Sequence, residues 1–300
     1  MTATPAADPR RPWGLLGAPS SAAAHWPGIE KAPAAMRAAG LVDTLHAAAV
    51  PFRDFGDLPV VRWEARRRAG EPNNVACVAE GLHRARERVA DIVAAEHRPL
   101  VLGGECTLTI AVVSTLVAGF GDVGLMYVDG GQDLMIPRDH PEEPILDGMG
   151  VAHLLDLAGT MAEIAAIGPR RPLLAASDVV FFGFSDGDED IHGQVPSTRV
   201  PAGEVTADPE GAASAALRAL RASHVVVHVD VDVLDFLRTP AADVPVYGRG
   251  LGLDHLERAL RVFVHDPRCA ALVLTEYNPD HDPSGQASAG IIRCLAEALT

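Results

Sequence analysis

The sequence predicts an α/β fold: a parallel sheet covered by helices on both faces. Three observations carry this expectation. Short apolar or β-branched runs alternate with longer Ala/Leu/Arg segments of helical period. No linker or internal repeat divides the 300 residues, so one domain over 13–300 is expected, behind a flexible N-terminus at 1–12. The polar residues with chemical potential gather just beyond the ends of the predicted strands, where parallel sheets place their ligands.

Taken in order, WGLLGA (13–18) reads as the first strand, followed by a helix over 33–40 and a strand over 48–53. A long helix over 73–96 precedes the strand PLVLG (99–103), and a helix over 107–118 precedes VGLMYVD (123–129). A helix over 150–158 leads to VVFFGF (179–184). Asp208 is a helix-start signal for 210–222, which leads to the strand HVVVHVDVD (224–232). Asp254 starts 253–264, ALVLTEY (271–277) is the last strand, and 285–299 closes the chain as a helix. Loops rich in Pro, Gly and Asp are expected at 137–147, 186–207 and 237–250.

Composition narrows the function. A net charge of −15 and a pI near 5.1 argue against nucleic acid, because phosphate neutralisation needs a basic patch. Four cysteines, Cys77, Cys106, Cys269 and Cys294, with no CxxC pair, make neither a disulfide framework nor a zinc knuckle. Residues 1–12 lack the apolar core of a signal peptide, and no run of 18 uncharged apolar residues spans a membrane. A cytoplasmic setting is the expectation.

Four strand ends carry the chemistry. Strand 99–103 runs into GGECT (103–107), strand 123–129 into VDGGQD (128–133), strand 224–232 closes on Asp230 and Asp232, and strand 271–277 runs into TEYNP (275–279). On a strand the aspartates of HVDVD share one face, together with His228. Several carboxylates in one crevice repel one another unless a cation lies between them, and oxygen donors suit a hard divalent ion. For His228 a packed core histidine is the alternative to a ligand, and for Cys106 a small apolar core residue.

The ordered motifs LGGEC, VDGGQD, LDGMG, HVDVDVLD and TEYNPDHDP resemble the ureohydrolase superfamily of arginases, agmatinases and related amidinohydrolases. The N-terminal GAPSSAAAHWPGIEKAPAAMRAAGL (17–41) resembles the opening of arginase-like proteins. The resemblance implies a three-layer α/β/α domain with a mainly parallel sheet of about eight strands. It also implies a pair of manganese ions held by a histidine after GGD, a D-x-H-x-D motif and a D-x-D motif, attacking a guanidinium carbon through an activated water.

This chain departs from that pattern. Cys106 stands at the first histidine, Gly131 at the histidine of D-x-H-x-D, and Asp147 at the proton-shuttling histidine. Glu105 replaces an aspartate, Met135 an asparagine that grips the amino-acid end of arginine, and Phe236 a proline. By resemblance, one metal position keeps Cys106, Asp129, Asp133 and Asp230, and the other only Asp129, Asp230 and Asp232. Glu276 would face the substrate's cationic group, joined by Asp188 of the acidic loop SDGDED, and Asp147 would take the shuttle's place. The cofactor expectation is one divalent metal, manganese or zinc, with a metal-free site as the alternative; carboxylate protonation, water or Arg138 would then relieve the charge.

Two functions follow. One is a hydrolase of a guanidine or related C–N bond with an altered metal site, an amidinohydrolase of linear amidines whose partner is a small cationic guanidine-type molecule. The other is a non-catalytic arginase-like protein that binds a ligand or serves as a partner subunit. Either way the resemblance implies a homo-oligomer, a trimer or hexamer.

Overall fold

The computed structural model describes residues 11–65, 70–185 and 195–300. The first ten residues, most of the expected N-terminal tail, lie outside it. Arg11 and Pro12 are described; the Pro12 carbonyl accepts from the Arg98 backbone N–H at 2.9 Å.

The chain alternates strand and helix. β1 (Trp13–Ala18) leads to α1 (Ala32–Ala38), α2 (Leu41–Ala47) and β2 (Phe52–Asp57). α3 (Val75–Ala94), β3 (Arg98–Gly103), α4 (Leu108–Phe120) and β4 (Val123–Val128) follow, then the short α5 (Gly150–Leu154) and α6 (Ala162–Ala165). The second half holds β5 (Val179–Phe182), β6 (Thr198–Val200), α7 (Ala202–Ala207), α8 (Pro209–Ala219), β7 (His224–Asp230), α9 (Leu253–His265), β8 (Cys269–Thr275) and α10 (Gln286–Ala298).

The eight strands form one sheet in the order β2-β1-β3-β8-β7-β4-β5-β6, and every pairing is parallel. The six inner strands are buried along their whole length, whereas β2 at one edge is mostly exposed and β6 at the other is partly so. Burial on both faces explains the uninterrupted apolar runs of the inner strands. The same physics hides the edges. FRDFGD (52–57) and TRV (198–200) carry polar residues, so the expected 48–53 strand lies four residues late and β6 falls inside what reads as a loop.

Pleating divides the core. Met126, Val128, Val225, Val227 and Val229 pack with α8, α9 and α10 on one face, and Leu125, Tyr127 and Val226 pack with α3 and α4 on the other. α9 shows the helical version of this rule: Leu256, Ala259, Leu260, Phe263 and Val264 form its buried stripe. α4 is buried on nearly all sides, which fits its almost wholly apolar sequence.

The fold brings β3, β8, β7 and β4 side by side at the middle of the sheet, so all four motif-bearing carboxyl ends open into one crevice. One local difference matters. β7 ends at Asp230, and Val231–Val233 turn as a 3-10 helix, so Asp230 and Asp232 do not continue one pleated face as expected.

Gly104 sets the spacing of this crevice. A Cβ there would lie 1.7 Å from the Ser20 carbonyl oxygen, while the Gly104 carbonyl accepts the Glu276 N–H at 2.6 Å. Gly104→Ala must therefore push the β1 and β3 ends apart. We expect it to cost at least about 3 kcal/mol, as severe core strain does, measured by denaturant unfolding; a loss within experimental error would show that these ends are not in close contact.

Candidate metal centre

Each strand end delivers its side chain by a local device. After β3, Glu105 and Cys106 occupy the turn into α4, and the Cys106 backbone N–H donates to Asp147 Oδ1 at 2.7 Å. After β4, the Gly131 N–H donates to Asp129 Oδ1 at 2.6 Å, and the Gly130 N–H to Asp232 Oδ1 at 2.8 Å. At the end of β7 the Asp232 N–H donates to Asp230 Oδ1 at 2.7 Å. Asp133 and Glu276 adopt positive φ, 51° and 65°, which non-glycine residues rarely accept and which is seen most at functional sites.

Cys106, Asp129, His228 and Asp230 each offer a ligand atom within 4.8 Å of the others, and all four are buried. The Cys106 thiol donates to Asp230 Oδ2 at 2.9 Å and lies 3.3 Å from the Thr275 hydroxyl. His228 Nδ1 contacts the Thr109 hydroxyl at 2.7 Å, and its ring stacks on Tyr127 with centroids 4.2 Å apart. His228 Nε2 and Asp129 Oδ2 face each other at 3.7 Å, and neither has a hydrogen-bond partner among the described residues. Buried polar atoms are normally paired, and two orphans pointing at one spot are what a cation-binding centre leaves when the ion is removed. The donor set therefore fits a divalent metal.

Asp133 and Asp232, expected ligands, line the same crevice but fall outside this four-atom group. Asp133 Oδ2 accepts from the Tyr127 hydroxyl. A second group, Cys106, Asp147 and Glu276, lies on the other side of the thiol. The carboxyl of Glu276 hydrogen-bonds Asp147, and its Oε1 is buried without a partner.

Burial dominates the electrostatics. It holds the Asp230 carboxyl well above its usual range, helped by the charges of Asp232 and Asp129. Burial likewise raises Glu276 well above normal, with Asp147 and Asp230 adding repulsion. Asp147 is raised by burial too, but the hydrogen bonds from Glu276 and from the Cys106 N–H oppose the shift, so the shared proton sits on Glu276. The Cys106 thiol is pushed far up by burial and by Asp230, and in the absence of a cation it keeps its proton. Glu105, enclosed by the Ala23 N–H at 2.7 Å and the Thr107 hydroxyl at 2.9 Å, rises to about 8, mainly by burial and then by the charge of Asp147.

The crevice holds about 530 Å³. The loop 137–147 forms one wall, Met135 and Gly148 its side, and Asp243 and Val244 of the loop 237–250 its opposite rim. His25, from the loop after β1, also lines it; sequence reasoning missed His25 and Asp243, whose only signal was a place in long loops beyond strand ends. Arg138, a candidate counter-charge, instead points outward near Asp139 at 4.0 Å. Asp188 lies outside the described residues.

Known proteins match this arrangement over most of its length. The sequence profile described as the Arginase family matches residues 11–300. Rat arginase-1 is 29% identical over 259 residues, covering 82% of this chain and 78% of that protein. The Bacillus cereus arginase structure superposes with a TM-score of 0.85 at 19% identity, covering 97% of this chain and 98% of that one. Formiminoglutamase of Trypanosoma cruzi, solved with Mn2+, superposes with a TM-score of 0.72 at 18% identity, covering 96% and 92%.

The pKa pattern has a testable sign. A folded carboxyl held above its unfolded value binds protons that the unfolded chain has lost, so its contribution to stability falls as pH rises between the two values. With a chelator present, stability should therefore drop from pH 7 to 8, where the folded Glu105 still holds a proton that the unfolded chain has lost; His153, lowered to about 4 by burial, has the opposite slope, most of which lies below pH 7. Thermal melts across this window read the slope, and Glu105→Gln should flatten it even if it lowers the absolute Tm. A slope unchanged by Glu105→Gln would contradict the assignment.

Proposed function

This chain belongs to the arginase family, and from that premise we propose that it is a divalent-metal-dependent hydrolase of a C–N bond in a small cationic amidine or guanidine other than free arginine. One observation carries the reading. Three strand ends keep costly buried carboxyls around one crevice, the fourth brings Cys106 to it, and Glu276 Oε1 faces it with no partner among the described residues. A planar cationic N–H group satisfies such an atom with charge and geometry together. Free arginine is a poor fit, because Met135 presents a thioether where a polar grip on an amino-acid end is needed, and Asp147 cannot work as a histidine does.

The roles follow from position. Cys106, Asp129, His228 and Asp230 are the residues that would hold the metal, manganese or zinc. Such an ion supplies Lewis acidity that makes water acidic near neutral pH. Asp133, Asp232 and the wall 137–147 would shape the substrate side, with Asp188 a further acidic contact. Glu276 orients the cation, and the proton it shares with Asp147 is placed to reach a departing nitrogen.

One observation favours a non-catalytic role. The thiol of Cys106 and the carboxyl of Glu276 already neutralise their neighbours by hydrogen bonding to Asp230 and Asp147. Such a centre is self-consistent without turnover. The chain is proposed to work in the cytoplasm as a homo-oligomer, a trimer or hexamer; light scattering reads that state. Among the described residues no helix is long and apolar enough to cross a membrane.

The test is a panel of linear amidines and guanidines assayed for released ammonia, formamide or urea, with protein purified without chelator. We expect turnover of at least one amidine, little from arginine, and a loss of at least about a hundredfold in kcat/KM for Glu276→Gln, the scale for removing an electrostatic anchor. The same variant should melt higher than wild type at pH 8, because a neutral isostere removes the cost of keeping the Glu276 carboxyl protonated beside Asp147 and Asp230. Efficient urea release from arginine, or no turnover of any member with metal restored, would overturn the reading.

A further inference from the structure

We propose that the chain holds a single zinc-type cation through Cys106, Asp129, His228 and Asp230, with His228 supplying from the floor of the crevice the nitrogen that Gly131 lacks. The argument starts from the orphans. Buried ring nitrogens are normally paired, but a bare one is not by itself a ligand: His224, packed on Phe120, also leaves Nε2 without a partner among the described residues, and what sets His228 apart is a second bare donor opposite it. His228 has Nδ1 on the Thr109 hydroxyl at 2.7 Å, yet Nε2 is buried, unpartnered and 3.7 Å from the equally unpartnered Asp129 Oδ2. That separation is too long for a hydrogen bond. It is close to the roughly 3.4 Å expected between two ligands of one tetrahedral zinc ion with nitrogen and oxygen donors.

Every member of the four is oriented from behind, as metal ligands are. The site calls for the tautomer in which Nδ1–H donates to the Thr109 hydroxyl, 2.7 Å away, and the Nε2 lone pair faces the centre. Asp129 and Asp230 each have one oxygen pinned by a backbone N–H, from Gly131 and Asp232, and the other oxygen turned inward. The Cys106 sulfur has the Thr275 hydroxyl at 3.3 Å. On binding, the proton between Cys106 and Asp230 leaves to solvent, and the 2.9 Å contact opens by roughly half an ångström to fit two ligands.

The second position is weaker on the same grounds. Gly131 has no side chain to offer, and Asp232 Oδ1 already accepts from the Gly130 N–H. A donor set of one thiolate, one imidazole and two carboxylates selects a borderline ion such as zinc over manganese, which prefers oxygen. This inference deepens the metal-binding part of the proposed function and does not depend on turnover.

The test uses the full chain, stripped with chelator and then titrated with Zn2+, Mn2+ and Co2+. We expect one zinc per chain by elemental analysis, held in competition with manganese. The Co2+ form should show a near-ultraviolet thiolate-to-cobalt band that Cys106→Ser removes. His228→Ala, checked for folding by circular dichroism, should lose at least about tenfold in zinc affinity. If that variant does not fold, X-ray absorption of the wild-type zinc form replaces it: one sulfur and one imidazole in the first shell support the site, and oxygen alone overturns it. Two zinc ions per chain, no zinc bound, a cobalt form without the thiolate band, or unchanged affinity in His228→Ala would also overturn it. One zinc without hydrolysis of any amidine counts against the enzymatic reading and leaves this site standing. Hydrolysis that depends on a manganese pair does the reverse.

Discussion

The crevice is organised by negative charge in a place where water cannot screen it. Asp129, Asp133, Asp230 and Glu276 are all buried at the ends of neighbouring central strands. Left alone, carboxylates at this spacing in a low-dielectric setting would cost several kcal/mol each. The chain offsets part of that cost with backbone N–H groups, part with protons on Cys106 and Glu276, and leaves the rest open toward one point between Asp129 and His228.

The glycines around the crevice follow from this constraint. VDGGQD needs two residues in succession whose N–H groups turn toward carboxylates, and a side chain at Gly130 would meet Asp232 at 2.9 Å. Gly104 lets β1, β3 and β8 approach closely enough for Glu276 to be pinned in a positive-φ conformation. Backbone strain at Asp133 and Glu276, of order 1–3 kcal/mol each, persists because surrounding hydrogen bonds over-determine them. Stability is given up at the residues that line the crevice.

The floor beneath the charges ties them to the core. Tyr127 and His228 are register partners on β4 and β7 and stack face to face, with Thr109 of α4 fixing the imidazole. Tyr127 also donates to Asp133, so one aromatic pair links the two halves of the donor cluster. In the proposed centre the nitrogen comes from His228 on the central strand β7, where the resemblance would place it at Gly131. A donor rooted in a central strand is held more rigidly than one on a turn.

The α/β class, the order of the buried strands and the clustering of Cys106, the aspartates and Glu276 at strand ends were legible in the sequence. Inner parallel strands must be apolar throughout, and their ends are where ligands meet, so local composition reports both facts. The edge strand β6 and the helices α2, α6 and α7 were not, and β2 was legible only with its bounds displaced, because an exposed edge or a one-to-two-turn helix leaves little apolar signature. Nor could the sequence decide between ligand and core for His228, or show that Asp232 leaves the strand's face for a turn. Spacing along a strand fixes which side a residue takes, but not which of its atoms finds a partner. That is settled only when Thr109, Tyr127 and Asp129, distant in the chain, close around the same imidazole and leave one nitrogen bare.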